Sequence, residues 1–395
     1  MAGEKDGERV LYMDFRLTDE QKALRDMVRD FAAKEIAPYA QTFDEQGAIP
    51  KDLLDKMAGL GLMGICVPSE YGGAGMDYLA YIIALEEVCK ASASVGLAMT
   101  VNNTLYGDPL MRFGTHEQKL CWLKPVAKGE RLGCYCLTEP GSGSDAMALA
   151  TTAVPDADGF VLSGTKAFIT NGEIASQAII FATVDKTKGD KGVTAFVVDK
   201  TSQGFSVSKK ARKMGLLASD TCELTLENVH VRADQVLGNV GEGYKVAFST
   251  LDAGRIGIAA QALGIAEAAL EAAIAYAKRR EQFGKPIAEF EAIQWMLADM
   301  ATEIEAARLL TYRAARLKAE GRPRFTREAS MAKLYASEMA NRVASHAIQI
   351  HGGYGYRKDY PVERYFRDAR ALPLYEGTSE IQRLVIAREL LKEGE

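Results

Sequence analysis

The sequence RIGIAAQALGIAEAALEAAIAYAKRR, residues 255–280, is rich in alanine and favours a helix throughout. Alanine and leucine have the strongest helix propensities, so a long helix is predicted here. Helix-favouring runs of similar character follow at 288–320, 326–350 and 378–392. Four long amphipathic helices pack as an antiparallel bundle, and we predict a C-terminal four-helix bundle domain.

Residues 134–240 change from helical to strand periodicity. The segment TCELTLE, 221–227, alternates apolar and polar residues as a half-buried strand does. Asp-Gly at 158–159 and Ser-Gly at 163–164 indicate turns between strands. Roughly seven short strands at this spacing predict a small β-barrel or sandwich.

The region before the strands is predicted to be helical. Thr18 and Gln21 have the spacing of a capping box, and apolar residues follow at helical intervals. The predicted fold class is α+β, mainly α. It comprises an N-terminal helical domain at 14–133, a middle β domain at 134–240 and the helical bundle at 241–395.

Composition excludes several classes of function. The chain has 395 residues and a formal net charge of −5. A protein that binds nucleic acid usually carries an excess of basic residues, so this charge argues against that function. The sequence has no run of 18 to 20 uncharged apolar residues, so no membrane-spanning helix is predicted. Acidic residues at Glu4, Asp6 and Glu8 argue against a targeting segment, so a cytoplasmic location is expected, or the mitochondrial matrix for a processed eukaryotic protein.

Metal binding is not expected. None of the six cysteines forms a CxxC pair, and the four histidines lie at no zinc-ligand spacing. Free, reduced thiols are the predicted state of the cysteines.

The segment LYEGTSEIQR, residues 374–383, places a carboxylate before a glycine at the start of a helix. Leu374 and Tyr375 could screen Glu376 from water on one side. Desolvation raises the pKa of a carboxyl group toward working pH, which suits a general base. The alternative is an ordinary acidic residue in a surface loop.

The start of the last helix carries its own signal. Ser379 and Gln382 have the spacing of a capping box, and an apolar stripe follows them. This pattern predicts a tight turn held by the helix, with Glu376 fixed within it.

A second candidate site is the loop YCLTEPGSGSD, 135–145. Its glycines, hydroxyls and free backbone N–H groups can cradle a phosphate or bind the edge of a polar ring. A polar surface turn is the alternative. The segment also fits GxGxxA, but Pro140 and the lack of a surrounding βαβ unit exclude a dinucleotide fold.

Seven segments together resemble the acyl-CoA dehydrogenase family, and most of all its short-chain, butyryl-type branch. They are YCLTEPGSGSD (135–145), FITNG (168–172), TLDAGRIGIAAQALGIA (250–266), QFGKP (282–286), QIHGGYGY (349–356), ERYFRDAR (363–370) and YEGTSEIQRL (375–384). The resemblance implies bound FAD, an acyl-CoA substrate, an electron-transferring flavoprotein as acceptor, and a homotetramer built as a dimer of dimers.

The resemblance also assigns residues by motif. Those expected to hold FAD in the same subunit are Tyr135, Leu137, Thr138, Gly143, Ser144, Phe168 and Thr170, with Thr378 and Glu380 beside the flavin. Those expected to reach the FAD of the neighbouring subunit are Arg280, Gln282, Phe283, Gln349, Gly352 and Gly353. Those expected to contact acyl-CoA are Ser144, Tyr244, Asp252, Arg255, Tyr375 and Gly377.

The implied reaction is α,β-dehydrogenation of an acyl-CoA thioester. Glu376 would take the α-proton, the β-hydrogen would leave as hydride to flavin N5, and the product would be a trans-2-enoyl-CoA. Some branches place the base at the position of Gly254, which has no carboxylate here. The glutaryl branch has an arginine where this chain has Gly96, so a dicarboxylic acyl group is not expected.

Two departures from the family pattern limit the assignment, one at the cofactor and one at the acyl pocket. Glu291 replaces a glutamine near the flavin adenosine, and Pro373 and Ser249 fall where the short-chain branch forms the floor of the acyl pocket. A branched, cyclic or aromatic acyl group remains an alternative. An acyl-CoA oxidase and a catalytically silent scaffold are the rival functions.

Overall fold

The computed structural model describes residues 16–392, and it confirms the predicted mainly helical fold with a sheet in the middle. The exact domain boundaries stay predictions. The acidic residues Glu4, Asp6 and Glu8 and the outer ends of the predicted domains, 14–15 and 393–395, lie outside the described residues.

The N-terminal region is helical, as predicted. Thr18 and Gln21 form the expected capping box, each backbone N–H bonding the other side chain at 3.1 Å. The helices are α1 Asp19–Phe31, α2 Ala40–Gln46, α3 Lys51–Gly59, α4 Tyr78–Ala91, α5 Ala93–Thr100, α6 Asp108–Phe113, α7 His116–Gln118 and α8 Lys124–Ala127.

The middle region is a single eight-stranded sheet in the order β6-β7-β3-β2-β4-β5-β8, with β1 parallel to β4. The alternating segment 221–227 lies in β7, as its pattern predicted. The strands are β1 Gly133–Cys136, β2 Thr152–Asp156, β3 Gly159–Thr170, β4 Gln177–Thr183, β5 Val193–Asp199, β6 Phe205–Lys210, β7 Thr221–Arg232 and β8 Val236–Leu237.

One of the two predicted turns in this region is wrong. The turn at 158–159 joins β2 to β3, whereas Ser163 and Gly164 lie inside β3 at a shift in its register with β7. A Cβ on Gly164 would come within 2.5 Å of the Thr151 hydroxyl oxygen. Gly164 therefore allows the Thr151 side chain to approach the backbone of β3 closely. Glycine inside a strand often marks such a close approach rather than a turn.

Within residues 241–392 the C-terminal region has five α-helices where four were predicted. The fifth, α12, is short and rich in charged residues, so its apolar face spans too few residues to be recognised as a long amphipathic helix. The elements are α9 Gly243–Arg279, β9 Glu281–Gln282, β10 Lys285–Pro286, α10 Glu291–Ala319, α11 Thr326–His351, α12 Val362–Ala371 and α13 Ser379–Lys392.

Helix α9 is the centre of the core and joins the two helical regions. It packs against α4, where a Cβ on Gly264 would lie 2.6 Å from the Glu86 carbonyl oxygen. The Tyr78 hydroxyl donates to the Ala253 carbonyl at 2.8 Å. By length and composition α9 could cross a membrane, but 72% of its most apolar window is buried inside the protein, as in other core helices.

Candidate active site

The turn between α12 and α13 has an unusual backbone. Glu376 has φ of 54° and Gly377 has φ of 87°, so both lie in the left-handed region. This conformation is uncommon for a residue other than glycine and persists only where the surroundings fix it. The backbone conformation of the turn therefore sets the direction of the Glu376 side chain.

Two buried side chains from different helices hold this turn. The Gly377 carbonyl accepts hydrogen bonds from Lys333 Nζ at 2.6 Å and from Gln382 Nε2 at 3.0 Å. Gln382 Nε2 also donates to the Glu376 carbonyl at 3.1 Å. Lys333 and Gln382 are both fully buried, so these bonds do not compete with bulk water.

The predicted capping box at Ser379 and Gln382 is wrong. The helix begins at Ser379, so the capping position is Thr378, whose hydroxyl accepts from the Ile381 N–H at 3.3 Å. Gln382 is one residue too far along for the box, and its amide binds the turn instead. The first turn of this helix still holds the turn that carries Glu376, but it does so through the Gln382 amide and the Glu376 and Gly377 carbonyls.

The Glu376 carboxylate lies against α9. Its Oε2 is fully covered and has no hydrogen-bond partner among the described residues. A Cβ on Gly254 would lie 2.7 Å from this oxygen and 3.2 Å from the Leu105 side chain. The missing side chain at Gly254 therefore makes the space that the carboxylate occupies.

Burial raises the pKa of Glu376 to about 7, although the Arg255 and Lys333 cations partly oppose this. A carboxyl group with such a pKa is ionised in about half the molecules at neutral pH and can both take and release a proton. The alternative of an ordinary surface carboxylate does not fit this environment.

Screening of Glu376 differs in part from the prediction. Leu374 is 55% exposed and so does not screen Glu376 from water, whereas Tyr375 is only partly exposed and lies beside Glu376. The Tyr375 hydroxyl donates to Gln261 Oε1 at 2.6 Å, and the Gln261 amide donates to the Ala93 carbonyl at 3.0 Å. These bonds fix a wall of the site that links α9 to α5.

Asp252 and Arg255, two of the residues assigned to acyl-CoA, form a largely buried pair on α9. Arg255 Nη1 lies 2.6 Å from Asp252 Oδ1, and Asp252 Oδ2 accepts from the Thr326 hydroxyl at 2.6 Å. Tyr244 stands half-buried about 12 Å earlier on the same helix, at 1.5 Å per residue. The arrangement puts a fixed cation near Glu376 and an aromatic side chain farther along one helix.

The loop after β1 is tied down by a buried ion pair. Lys166 Nζ lies 2.7 Å from Glu139 Oε1, and both side chains are buried. Glu139 also accepts from the Ala150 and Thr151 N–H groups, at 2.6 and 3.1 Å. Lys166 donates to the Leu137 carbonyl at 3.2 Å, so the lysine fixes the start of the loop and Glu139 links that start to its far end at Ala150 and Thr151.

The same loop is open on its outer side. A Cβ at Gly141 or Gly143 would meet nothing within 4 Å, and Ser144 is exposed. The hydroxyl of Tyr135, on β1 just before the loop, is buried with no partner among the described residues. Exposed glycine backbone and an unpaired hydroxyl in one segment both fit polar groups of a ligand.

Phe168 and Thr170 stand at the end of β3 beside this loop. Thr138 connects them to it, because its carbonyl accepts from the Ala167 N–H at 2.9 Å. Phe168 has φ of 56° and is 73% exposed, at a register shift between β3 and β7. An exposed aromatic ring set on a strained strand end fits stacking against a flat group.

The residues assigned to a neighbouring FAD lie at the far end of α9. A cavity of about 500 Å³ is lined by Arg280, Gln282, Gly352 and Gly353. Phe283 is outside this lining and is 95% exposed at the tip of the β9–β10 hairpin. Gln349 is likewise exposed and outside it.

This cavity is remote from Glu376. Gly254, which contacts Glu376, and Arg279 are about 37 Å apart along α9 at 1.5 Å per residue. Thr378 and Glu380, in contrast, follow Glu376 directly. The assigned cofactor residues therefore form two separate groups in this chain.

Family models match nearly the whole chain. Residues 18–130 match the N-terminal domain of acyl-CoA dehydrogenase, 134–229 its middle domain and 241–391 its C-terminal domain. The chain belongs to the acyl-CoA dehydrogenase family. The dehydrogenase is an oxidoreductase that uses FAD, as predicted, and its open loop, exposed Phe168 and unpaired Tyr135 hydroxyl fit that cofactor.

Individual relatives agree with the short-chain resemblance. The chain is 51% identical to the mitochondrial short-chain specific acyl-CoA dehydrogenase of Bos taurus, over 97% of this chain and 93% of that one. The butyryl-CoA dehydrogenase structure from Megasphaera elsdenii has a TM-score of 0.94 at 46% identity, covering 96% of this chain and all of that one.

A third relative belongs to a structure described as the electron transferring flavoprotein of Acidaminococcus fermentans. Its chain has a TM-score of 0.95 to the dehydrogenase at 49% identity. The match covers 96% of this chain and all of that chain.

The residues that sequence reasoning missed are Lys333, Lys166 and Gln261. Lys333 had a weak signal, since it follows Ala329 by four residues and so continues the alanine-rich face of α11. Lys166 and Gln261 had none, because each acts on residues distant in the sequence.

Gly254 offers a direct test of the packing against Glu376. A methyl group at this position would lie 2.7 Å from the carboxylate, which would have to move. We expect Gly254→Ala to slow flavin reduction by about 10- to 100-fold with little loss of FAD, because a displacement of about 1 Å costs that much in catalysis.

Gly257→Ala is the matched control, one turn farther along α9. Its added methyl would meet the Thr100 methyl at 3.2 Å and nothing of Glu376. Equal rates in the two variants, measured by stopped-flow flavin absorbance, would contradict the expected effect.

Proposed function

We propose that the protein dehydrogenates short-chain acyl-CoA thioesters to trans-2-enoyl-CoA, with Glu376 as the general base. The observation that carries the proposal is the covered Glu376 carboxylate, whose pKa burial raises to about 7, set against a glycine in an FAD-dependent family. The short-chain specificity of the Bos taurus relative supports the substrate class.

The residues of this chain act on the substrate in two ways. Glu376 removes the α-proton of the thioester, and its near-neutral pKa matches working pH. Its backbone N–H has no partner among the hydrogen bonds of the described residues, so it can donate to the thioester carbonyl oxygen as negative charge develops there. The chemistry that FAD supplies when bound is acceptance of the β-hydrogen as a hydride.

The wall beside Glu376 is fixed by hydrogen bonds. Tyr375, Gln261 and the Ala93 carbonyl form a fixed chain of hydrogen bonds there. A Cβ on Gly96 would lie 2.1 Å from Cys89 Sγ, so this position has no room for the arginine of the glutaryl branch. This supports the exclusion of a dicarboxylic acyl tail.

The two residues that left the substrate open have local roles in the structure. The Ser249 hydroxyl donates to the Val246 carbonyl in its own helix, and the Pro373 carbonyl accepts from the Ser379 N–H. Glu291 is exposed at the start of α10. Branched, cyclic and aromatic acyl groups are therefore kept as outcomes of the substrate test.

The cofactor is proposed to lie between subunits. The first group of residues, around the loop 137–145 and Phe168, would hold one FAD, and the second group, around the cavity at Arg280, would reach that of a neighbour. The separation of about 37 Å along α9 supports two different cofactors. A homotetramer with two such pairs stays a prediction.

The electron acceptor is proposed to be an electron-transferring flavoprotein. The structure described for Acidaminococcus fermentans, which contains a chain 49% identical to this one, supports this choice over oxygen. The cytoplasmic location stays a prediction.

Anaerobic mixing with acyl-CoA tests the function. We expect a yellow protein whose flavin is bleached fastest by butyryl-CoA in a panel from C4 to C8 with branched, cyclic and aromatic members. A colourless protein, or colour that no acyl-CoA changes, contradicts the proposal. If an aromatic or branched acyl-CoA bleaches the flavin fastest, the substrate class is that acyl group rather than a short straight chain. Rapid reoxidation of the flavin by air would indicate an oxidase.

A further inference from the structure

Lys333 is a fully buried lysine in the middle of α11. Lysine is almost never fully buried unless it is paired, because the charged ammonium group loses its hydration. The same face of the helix carries buried alanines at 329, 336 and 340 and the buried hydroxyls of Ser330 and Ser337. A single cation among them needs a role that offsets the cost of burial.

The ammonium group points at the catalytic turn. Lys333 Nζ donates to the Gly377 carbonyl at 2.6 Å, directly after Glu376. Among the described residues, this oxygen, which also accepts from Gln382, is the hydrogen-bond partner of the ammonium group. The contact therefore bridges α11 to the residue that follows the base.

Charged groups from every neighbouring element act on Lys333. The turn contributes Glu376, α13 contributes Glu380, α9 contributes Arg255 and α11 itself contributes Glu338. Burial lowers the pKa of Lys333 to about 8, while the Glu376 carboxylate raises it and the Arg255 cation lowers it further. At neutral pH the lysine is mostly protonated and faces an ionisable carboxyl group.

We propose that Lys333 is a positioning residue for Glu376: it holds the turn through the Gly377 carbonyl, and its charge favours the ionised form of the carboxylate. The inference rests on the proposed role of Glu376 as the base. Lys333 touches the turn rather than the reacting atoms, so it acts through Glu376.

The sign of the effect follows from the charges. A nearby cation favours the ionised carboxylate and therefore lowers the pKa of Glu376. Without the Lys333 charge, the pKa of Glu376 should rise above its value of about 7. The Arg255 cation remains, but it is already paired with Asp252.

The decisive readout is the pH profile of flavin reduction by butyryl-CoA in the holoenzyme. For Lys333→Met we expect the midpoint of the rising limb to move up by about one unit, with about tenfold slower reduction below it, which is the usual effect of losing one close cation. For Lys333→Arg, which keeps the charge, we expect the midpoint of the wild type. A purely structural role would lower the rate without moving the midpoint.

Arg342→Met is the matched control. It removes a cation from the same helix, but from a half-exposed pair with Glu303 on α10 at 3.1 Å. We expect this variant to keep the midpoint of the wild type. FAD content and thermal stability are measured for each variant to separate positioning from unfolding.

Lys333→Gln covers the case in which the methionine variant loses FAD, because its amide can still donate to the Gly377 carbonyl but has no charge. A raised midpoint in either neutral variant supports the proposal, and an unchanged midpoint with FAD bound overturns it. If both neutral variants lose FAD, a raised midpoint in Lys333→Arg overturns it and a wild-type midpoint supports it. Failure of the wild type to react with any acyl-CoA refutes the proposed function instead.

Discussion

Replacing Glu376 by glutamine is expected to give a yellow protein that butyryl-CoA no longer bleaches. Glutamine has the shape of glutamate but cannot take the α-proton. General bases contribute about 10²- to 10⁴-fold, so stopped-flow flavin reduction should slow by at least that factor. Oε2 of Glu376 has no hydrogen-bond partner among the described residues, so we expect FAD binding and stability to change little.

The control for this variant is Glu303→Gln. It also neutralises one carboxylate, but at an ion pair with Arg342 away from the catalytic turn. Retained reduction in Glu376→Gln at the rate of this control would place the base elsewhere. Loss of FAD from Glu376→Gln would mean that the carboxylate is structural.

Removal of the Lys166 charge is expected to have the largest effect on stability. Lys166→Met leaves Glu139 buried without its cation, and breaking a buried ion pair in this way typically costs about 3–5 kcal/mol. Because this pair holds both ends of the loop after β1, we expect weaker FAD binding as well. Chemical unfolding and flavin retention measure the two effects.

The double variant Lys166→Met with Glu139→Gln tests the cause. It removes the stranded charge, so it should be less destabilised than Lys166→Met alone. Lys210→Met is the matched control, since Lys210 forms an exposed pair with Glu173 and should change stability by less than about 1 kcal/mol. Equal destabilisation by Lys210→Met and Lys166→Met would refute this explanation.

The fold was predictable where periodicity runs over many residues. The alternation at 221–227 and the long helix-favouring runs after 255 identify a sheet followed by a helical bundle. Helix α12 was not predicted because its apolar face is short. The Ser163-Gly164 turn was predicted wrongly because glycine is common both in turns and at irregular positions inside strands. Local composition does not separate these cases.

The site was predictable only for residues that belong to one segment. Glu376 lies next to its glycine and its helix, so the sequence indicates a rigid carboxylate. Lys333 reaches that turn from 44 residues away, and Lys166 reaches Glu139 across 27 residues. Such contacts depend on helix and strand packing, which spacing along the chain does not contain.

The central claim is that Glu376 removes the α-proton, and hydrogen exchange tests it most directly. Enzyme whose flavin has first been reduced chemically cannot oxidise butyryl-CoA, so loss of α-hydrogen to D₂O reports the base alone. We expect the wild type to exchange α-hydrogen and Glu376→Gln to exchange none above the rate in buffer. Equal exchange by the two proteins would contradict the assignment of Glu376 as the base.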